Sequence, residues 1–469
     1  MVSVHTLKET SGDLLSESVL MEHLCTRFPS VFFPMHPTQG HRDPEKIVCE
    51  WQKRFRVLHS RVSRLFLSGQ SFGQNHVAVA GTSGKGSVTR MLGAALAEHG
   101  CRVGMFVSPH LLTLRERFAM FENSSVREVL PTLQEVFELS EQVATLDTPE
   151  SPFSLFEALF MMAGLHFQKQ RCDWVVWEVG CGGRLDAVNT LPHKALALMT
   201  RIGLDHQDLL GETIEAIATE KAPIFDRADG IGYSPQKPEV LEILERQRQT
   251  TGCLRVPPHR YEVWTSLDSL GVLNVKTPRG VIATSLRGKG QHHNWELAMD
   301  AACHLGVSQE AIERATRRLY LKGRIEVVSQ KPGVIVDVAH NPEKMQQLVD
   351  ILGLWRRRPV VAVVAFSEQK NTLGMLQVLG EAADKLVLTE FKSQQGRRPQ
   401  PLVLLREQSK QLGVESKISV CSSVGEAAQQ GLGHLSENGL LVFTGSVFLY
   451  REAIQALTRA GIDLKAKSP

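Results

Sequence analysis

The sequence carries almost no excess of charge. Its 53 Lys and Arg stand against 50 Asp and Glu, a formal net charge of +3 over 469 residues. Without a clustered basic surplus, composition gives no support for a nucleic-acid or membrane-surface partner. No stretch approaches the roughly 20 apolar residues of a membrane span. The eight cysteines (Cys25, Cys49, Cys101, Cys172, Cys181, Cys253, Cys303, Cys421) form no Cys-x-x-Cys pair. Neither a disulfide framework nor a zinc site is therefore indicated, and a reducing compartment fits. Glu9, Asp13 and Glu17 break up the N-terminus, which argues against a secretory or Arg-rich transit segment. A cytoplasmic protein is expected. The one basic knot, Arg356-Arg357-Arg358, reads as a solvated helix end, and there is no internal repeat or low-complexity tract.

What is present is alternation. Short apolar runs at His76–Ala80, Arg102–Phe106, Trp174–Glu178 and Ala195–Thr200 read as strands, as do Gly333–Asp337, Pro359–Ala365, Lys385–Leu388 and Leu440–Phe443. Amphipathic stretches such as Ser87–Glu98, Ser154–Gln168, Ile214–Ala222 and Glu343–Leu352 read as helices between them. Strand then helix, repeated, predicts an α/β fold with a mostly parallel sheet wrapped by helices. Arg255–Leu286, rich in Val and Thr with Pro and Gly breaks, predicts a small antiparallel patch. A second α/β run begins near Arg324, so the boundary is placed at Lys322-Gly323-Arg324. The expected organisation is a polar lead-in over 1–45, a nucleotide-binding unit over 46–322 and a second α/β unit over 323–469.

In parallel sheets ligands gather at the C-terminal strand ends, so the residues that follow each strand are the candidates. Gly81-Thr82-Ser83-Gly84-Lys85-Gly86-Ser87 sits between a strand and a helix. Its backbone N–H groups and the helix N-terminus make an anion cradle, and its glycines admit phosphate without a Cβ in the way. Lys85 would reach the β- and γ-phosphates, and the Ser87 hydroxyl is a possible magnesium ligand. The standard G-x-x-x-x-G-K-[ST] pattern is not met: Val79 occupies its first glycine and Gly86 is inserted before the hydroxyl residue.

Two further strands end on polar groups. Glu178 closes Trp174–Glu178 and runs into Gly180-Cys181-Gly182-Gly183-Arg184-Leu185-Asp186; His206 follows Ala195–Thr200. A carboxylate ending an apolar strand is costly without a cation, and its bland reading is a pair with a nearby Arg. A lone His there is more often structural. Both strands are expected in the sheet that carries the phosphate loop, however, and oxygen ligands with one imidazole beside a triphosphate suit Mg²⁺ or Mn²⁺. Ser108-Pro109-His110 brings a hydroxyl to the same edge, with Arg115 and Arg117 downstream as possible contacts for anionic substrate groups.

Six ordered motifs, "AGTSGKGS", "SPHL…RERF", "EVGCGGRLDAVN", "LDHQDLLGETIEAIATEKAPIF", "GRIEVV" and "DVAHNP", resemble the folylpolyglutamate synthase and dihydrofolate synthase family of the Mur ligase superfamily, from about Asn75 to the C-terminus. The resemblance implies an N-terminal P-loop ATPase-like domain and a C-terminal Rossmann-like glutamate-ligase domain with the active site between them. It implies ATP-dependent joining of L-glutamate to a folate or pteroate carboxylate, by a monomer, without nucleic acid or membrane. The segment Thr82, Ser83, Gly84, Lys85, Gly86 and Ser87, together with Asn294, Arg324 and Asp337, matches ATP contacts. Ser108, Glu178 and His206 match metal ligands, with two magnesium ions and a monovalent cation as implied cofactors. Lys221 matches a lysine carried as a carbamate. Lys85, Lys221, His206 and His340 are the implied catalytic group; Phe156, Glu157, Leu185, Asp186 and Ala187 match the folate pocket. Ser83 and Cys181 depart from the family's usual Asn and Leu. A Gly-Leu-x-Arg-like segment that helps hold dihydropteroate has no clear match in "FRVLHSRVSRLF".

The general base is not named by the sequence; His206, His340 and Asp337 are nearby candidates. Rival readings are a Mur-type ligase for another carboxylate, a nucleotide-binding regulatory protein without ligase activity, and a small-molecule kinase.

Overall fold

The computed structural model describes residues 16–28, 44–67, 75–122, 124–148, 151–259, 261–266, 271–355, 358–393 and 397–464. The first of its sheets has seven strands in the order β3-β2-β4-β1-β5-β6-β7. These are β1 Asn75–Ala80, β2 Val103–Phe106, β3 Ala119–Phe121, β4 Trp174–Glu178, β5 Lys194–Met199, β6 Ala228–Tyr233 and β7 Leu254–Arg255. All pairings are parallel except β2 with β3. The central strands are apolar on both faces because helices cover both, as parallel sheets require. Val77 and Val79 face one buried cluster while Ala78 and Ala80 face another.

Register decides what stands beside the phosphate loop. In β1, Val79 pairs with Glu178 of β4 and Ala80 with Met199 of β5. Both neighbouring strands therefore end level with the loop that leaves β1. The expected strand positions hold here, with boundaries unchanged or shifted by one residue.

The antiparallel patch is a three-stranded sheet, β8 Glu262–Thr265, β9 Val272–Thr277 and β10 Gly280–Arg287, in the order β10-β9-β8. Its Leu273, Val275 and Leu286 join the core of the first sheet. A third sheet runs β11-β12-β16-β13-β14-β15. Its strands are β11 Glu326–Gln330, β12 Gly333–Val336, β13 Val360–Val364, β14 Lys385–Leu388, β15 Ile418–Val420 and β16 Leu440–Thr444, with only β11 antiparallel. It carries one buried cluster on each face.

Part of the polar lead-in is ordered where it is described. Glu17–Arg27 is a helix capped by Ser16, with Leu20, Leu24 and Phe28 buried. Glu17 accepts from the Leu114 amide at 2.6 Å and faces Arg451 at 3.6 Å, so this helix ties the first sheet's loops to the C-terminal helix Leu449–Arg459. Polar composition hid it: only three large apolar side chains are spent on the core. Arg356 and Arg357 of the basic knot lie outside the described residues; Arg358 pairs with Asp384 at 3.0 Å. Among the described residues, no helix is long and apolar enough to cross a membrane, and every cysteine whose side chain is described is free.

Candidate active site

Gly81 leaves β1 at φ +132, so close to β5 that a Cβ there would sit 2.0 Å from Thr200 Oγ1. The loop is then stitched to the segment after β5. Thr82 and Ser83 donate their amides to the Arg201 carbonyl at 3.0 and 3.3 Å, and Thr82 Oγ1 exchanges hydrogen bonds with Gly203. Those two amides are thus spent on the scaffold, which corrects the expectation that they face phosphate. The helix Lys85–Glu98 opens next, with left-handed Gly84 at its N-cap and no side-chain cap. The amides of its first turn have no intrahelical partner, which is the arrangement an anion cradle needs.

Charge concentrates at this point. Lys85 and Lys221 both donate to one acceptor, the Gly81 carbonyl, at 3.1 and 3.3 Å. Burial, then the Lys85 charge, pushes the Lys221 ammonium down to about 8. Arg324 reaches in from the third sheet and donates only a long bond to the Gly323 carbonyl; burial lowers it too. None of these three cations makes an ion pair among the described residues. Glu178 stands opposite. A Cβ on Gly86 would lie 3.1 Å from its Oε2, so the inserted glycine is what lets the carboxylate approach the helix end. Glu178 Oε2 accepts from the Ser108 amide at 2.9 Å, not from an Arg, and burial raises its pKa. The Ser87 hydroxyl is buried without a partner.

These donors fit a hard divalent cation. Carboxylate, orphaned hydroxyl and the cleft-lining Ser108 and His206 supply a partial, mostly oxygen set. Among the described residues no cluster of three His, Cys, Asp or Glu forms a closed cage. Magnesium needs none, because it is commonly held by one or two carboxylates plus substrate phosphates.

The cleft measures about 890 Å³ and runs between the strand ends of the first and third sheets. Twelve Lys and Arg line it against six Asp and Glu, a surplus larger than that of the whole chain. Part of its lining is apolar, made by Phe28, Leu155, Phe156, Leu159 and Leu210. Phe156 lies on Gly180, where a Cβ would sit 2.6 Å from its ring, and packs edge-on against Phe106. Leu185 and Asp186 also line the cleft. Asp186 accepts from the amides of Gly180, Cys181 and Val188, so it shapes the glycine loop; burial raises it to about 6.

Three expected contacts are not in the lining. Glu157 is consumed beneath its own helix, where it caps the Ser154 amide at 2.7 Å and pairs with Arg54 at 2.8 Å. Ala187 is packed into the core. Arg115 donates to the Pro131 carbonyl away from the cleft, whereas Arg117 lines it.

Asn294, from the helix Lys289–His304, lies over the phosphate loop: a Cβ on Gly84 would meet its Oδ1 at 2.1 Å. Asp337, after β12, is locked by the amides of Ile325 and Ala339 at 2.8 and 2.7 Å. His340 donates Nδ1–H to the Val338 carbonyl at 2.9 Å, which leaves Nε2 as an acceptor for Lys344 Nζ at 3.0 Å. Burial holds the imidazoles of His206, at about 3, and His340 well below the ordinary range.

Sequence reasoning missed Lys344 and Lys370. Lys370 joins Asp205 at 2.9 Å across the two α/β units. The signal for Lys344 was its position four residues after His340, in the first turn of the helix Pro342–Leu354; Lys370 lies in a loop with no local signature.

Comparison with known proteins agrees with this layout. Residues 323–447 match the family model described as "Mur ligase, glutamate ligase domain". A Haloferax volcanii protein named probable bifunctional folylpolyglutamate synthase/dihydropteroate synthase is 28% identical over 83% of this chain, which spans 46% of that longer protein. The structure of Mycobacterium tuberculosis folylpolyglutamate synthase complexed with ADP and AMPPCP superposes with a TM-score of 0.74 at 26% identity, covering 89% of this chain and 100% of that one. The Escherichia coli dihydrofolate synthase/folylpolyglutamate synthase is 30% identical over 69% of this chain and 75% of its own length. The chain belongs to the dihydrofolate synthase/folylpolyglutamate synthase family.

Proposed function

We propose that this chain is an ATP-dependent ligase that joins L-glutamate to the carboxylate of a folate or pteroate through an acyl phosphate. One observation carries the reading. Three cationic side chains without ion-pair partners among the described residues, buried Lys221 and half-buried Lys85 and Arg324, converge on an open helix N-terminus, in a cleft whose lining is in part apolar and aromatic. The first feature asks for a polyphosphate; the second accepts a flat aryl acid.

A carboxylate and an amine form no amide in water without activation. The substrate carboxylate attacks the γ-phosphorus of ATP, the bond to ADP breaks, and a mixed anhydride results. The glutamate amine then attacks that carbonyl and phosphate departs. Two anions must meet in the first step, and Lys85, fixed at the Gly81 carbonyl, together with Arg324 offsets their repulsion without reorganising. Glu178, Ser87, Ser108 and His206 are the residues that would hold magnesium; bound there, it neutralises phosphate charge. Asn294, Arg324 and Asp337 close over the nucleotide from the other side and keep water from the anhydride. The domain division at Gly323 belongs to this proposal: Gly323 is left-handed at φ +64 and lies between the last helix of one unit and β11 of the next.

Lys221 enters as a carbamate. A neutral amine adds CO₂ and releases a proton. A buried lysine lowered to about 8 holds more of the neutral form than an ordinary one. The adduct turns one of two adjacent cations into an anion.

The test is to supply ATP, magnesium and glutamate with either dihydropteroate or tetrahydrofolate, and to weigh the products. A mass gain of one glutamate on either acid supports the reading and identifies the substrate. Phosphate release without such a product sinks it.

A further inference from the structure

The ligation chemistry needs a proton acceptor, and the three groups singled out from the sequence are unsuited. Both carboxylate oxygens of Asp337 are held by backbone amides, and the His340 imidazole is fixed as a neutral tautomer with Nε2 already engaged. His206 is a candidate metal ligand.

We propose that Lys344, hung on His340 Nε2, accepts the proton of the glutamate ammonium before the amine attacks the acyl phosphate. The inference rests on the ligase reading. Lys344 is half-buried in the first turn of Pro342–Leu354 and lines the cleft. Its amide is capped by Asn341, and Pro342 starts the helix, so the backbone beneath it is rigid. Nζ points at an imidazole nitrogen rather than a carboxylate. A lysine in an ion pair is held protonated; one that donates a single N–H to neutral His340 keeps its place in both protonation states, with its lone pair free to face the cleft. The charged groups acting on it are Asp205, Lys85, Arg324 and Lys370, with His340 and Asp337 affected in turn. Asp205 is already paired with Lys370, so it does not fix Lys344 as a cation. Burial, largest among the causes, brings Lys344 to about 7, where a general base works best at neutral pH.

The proton count closes. The glutamate ammonium loses two protons on becoming an amide N–H. Lys344 takes the first, freeing the lone pair that bonds to the carbonyl carbon. The second leaves as the C–O bond to phosphate breaks, and the departing phosphate oxygen carries it away. Lys344 returns its proton to water after product release.

Hydroxylamine separates this role from others. It is largely unprotonated at neutral pH, so it captures the acyl phosphate as a hydroxamate without a base. Lys344→Met should lose on the order of 10²–10⁴-fold in kcat with glutamate and keep hydroxamate formation. Lys344→Arg should be as defective with glutamate, because a guanidinium stays protonated. The wild-type protein gives a second check that needs no variant: rate with glutamate should fall as pH drops through about 7, and rate with hydroxylamine should not. Full activity of Lys344→Arg would make the residue a mere charge and overturn the proposal. So would a raised KM for glutamate at unchanged kcat, loss of both products together in a folded variant, or the same acid limb with both amines. Wild-type hydroxamate formation with a folate or pteroate keeps the ligase reading in place whatever the variants do; if the wild type forms neither product, both readings fall.

Discussion

Replacing Gly84 with Ala should injure the phosphate loop in a way that can be dissected. Gly84 sits at φ +101, where an L-residue pays about 1–2 kcal/mol. Its new Cβ would also stand 2.1 Å from Asn294 Oδ1 and 2.8 Å from Asn294 Cγ, so that side chain must move. Asn294 then loses its 3.2 Å bond to Gln291, about 1 kcal/mol, and leaves its rotamer at about 1 kcal/mol more. The molecule contains its own control. Gly100 has nearly the same φ, +102, with nothing within 4 Å of a built Cβ. Gly100→Ala should therefore show only the backbone cost, and Gly84→Ala about 2 kcal/mol beyond it. For a unit of this size that gap is roughly 4–8 °C in the thermal midpoint. The Gly84→Ala/Asn294→Ala double variant should recover most of the excess, a coupling of about 2 kcal/mol in the cycle. Calorimetry or thermal unfolding by circular dichroism measures all three. Equal losses for Gly84→Ala and Gly100→Ala, or a cycle with no coupling, would refute the claim that Asn294 is seated on the loop.

Lys85→Ala should abolish ATP turnover while the thermal midpoint moves by less than the Gly84→Ala shift, because Lys85 holds only a carbonyl; unfolding of the variant would contradict this. Lys221→Ala should be inactive and regain part of its activity in acetate or formate, where a small carboxylate replaces the missing anion; intact mass of gently handled active protein should show the carbamate, and an unmodified Lys221 there ends that idea. Stability should also fall in acid through His76, buried in β1 and accepting Trp177 Nε1–H at 3.1 Å. Burial lowers its pKa from 6.5 to about 4, so the folded state resists the proton that the unfolded chain takes up. Its contribution is complete above pH 6.5 and lost towards pH 4, about 3 kcal/mol in all. His76→Gln, which still offers an acceptor, should flatten that part of a denaturant-midpoint profile, and an unchanged slope would count against the assignment.

The β1 loop, Glu178 and His206 were legible because each ends an apolar run, and strand ends are where parallel sheets place ligands. Register then did what spacing along the chain does not express: it set Glu178 level with Val79, and a three-dimensional approach explained the inserted Gly86. The antiparallel patch showed in its Val, Thr and glycine breaks. Glu157 misled because a capping glutamate and a pocket glutamate look alike in one dimension; only the Arg54 and Ser154 contacts separate them. Thr82 and Ser83 misled for a related reason, since a loop motif does not say which amides its neighbour has already claimed. The helix Glu17–Arg27 and the Asp205–Lys370 bridge depend on contacts between segments far apart in sequence, and local pattern carries no trace of them.

The central claim is that the acid becomes an acyl phosphate between the two sheets before the amine arrives. Substrate labelled with ¹⁸O in its reacting carboxylate, turned over with ATP and glutamate, tests it most directly. The account predicts one labelled oxygen in the released phosphate for each amide formed. Amide formation with unlabelled phosphate would contradict it.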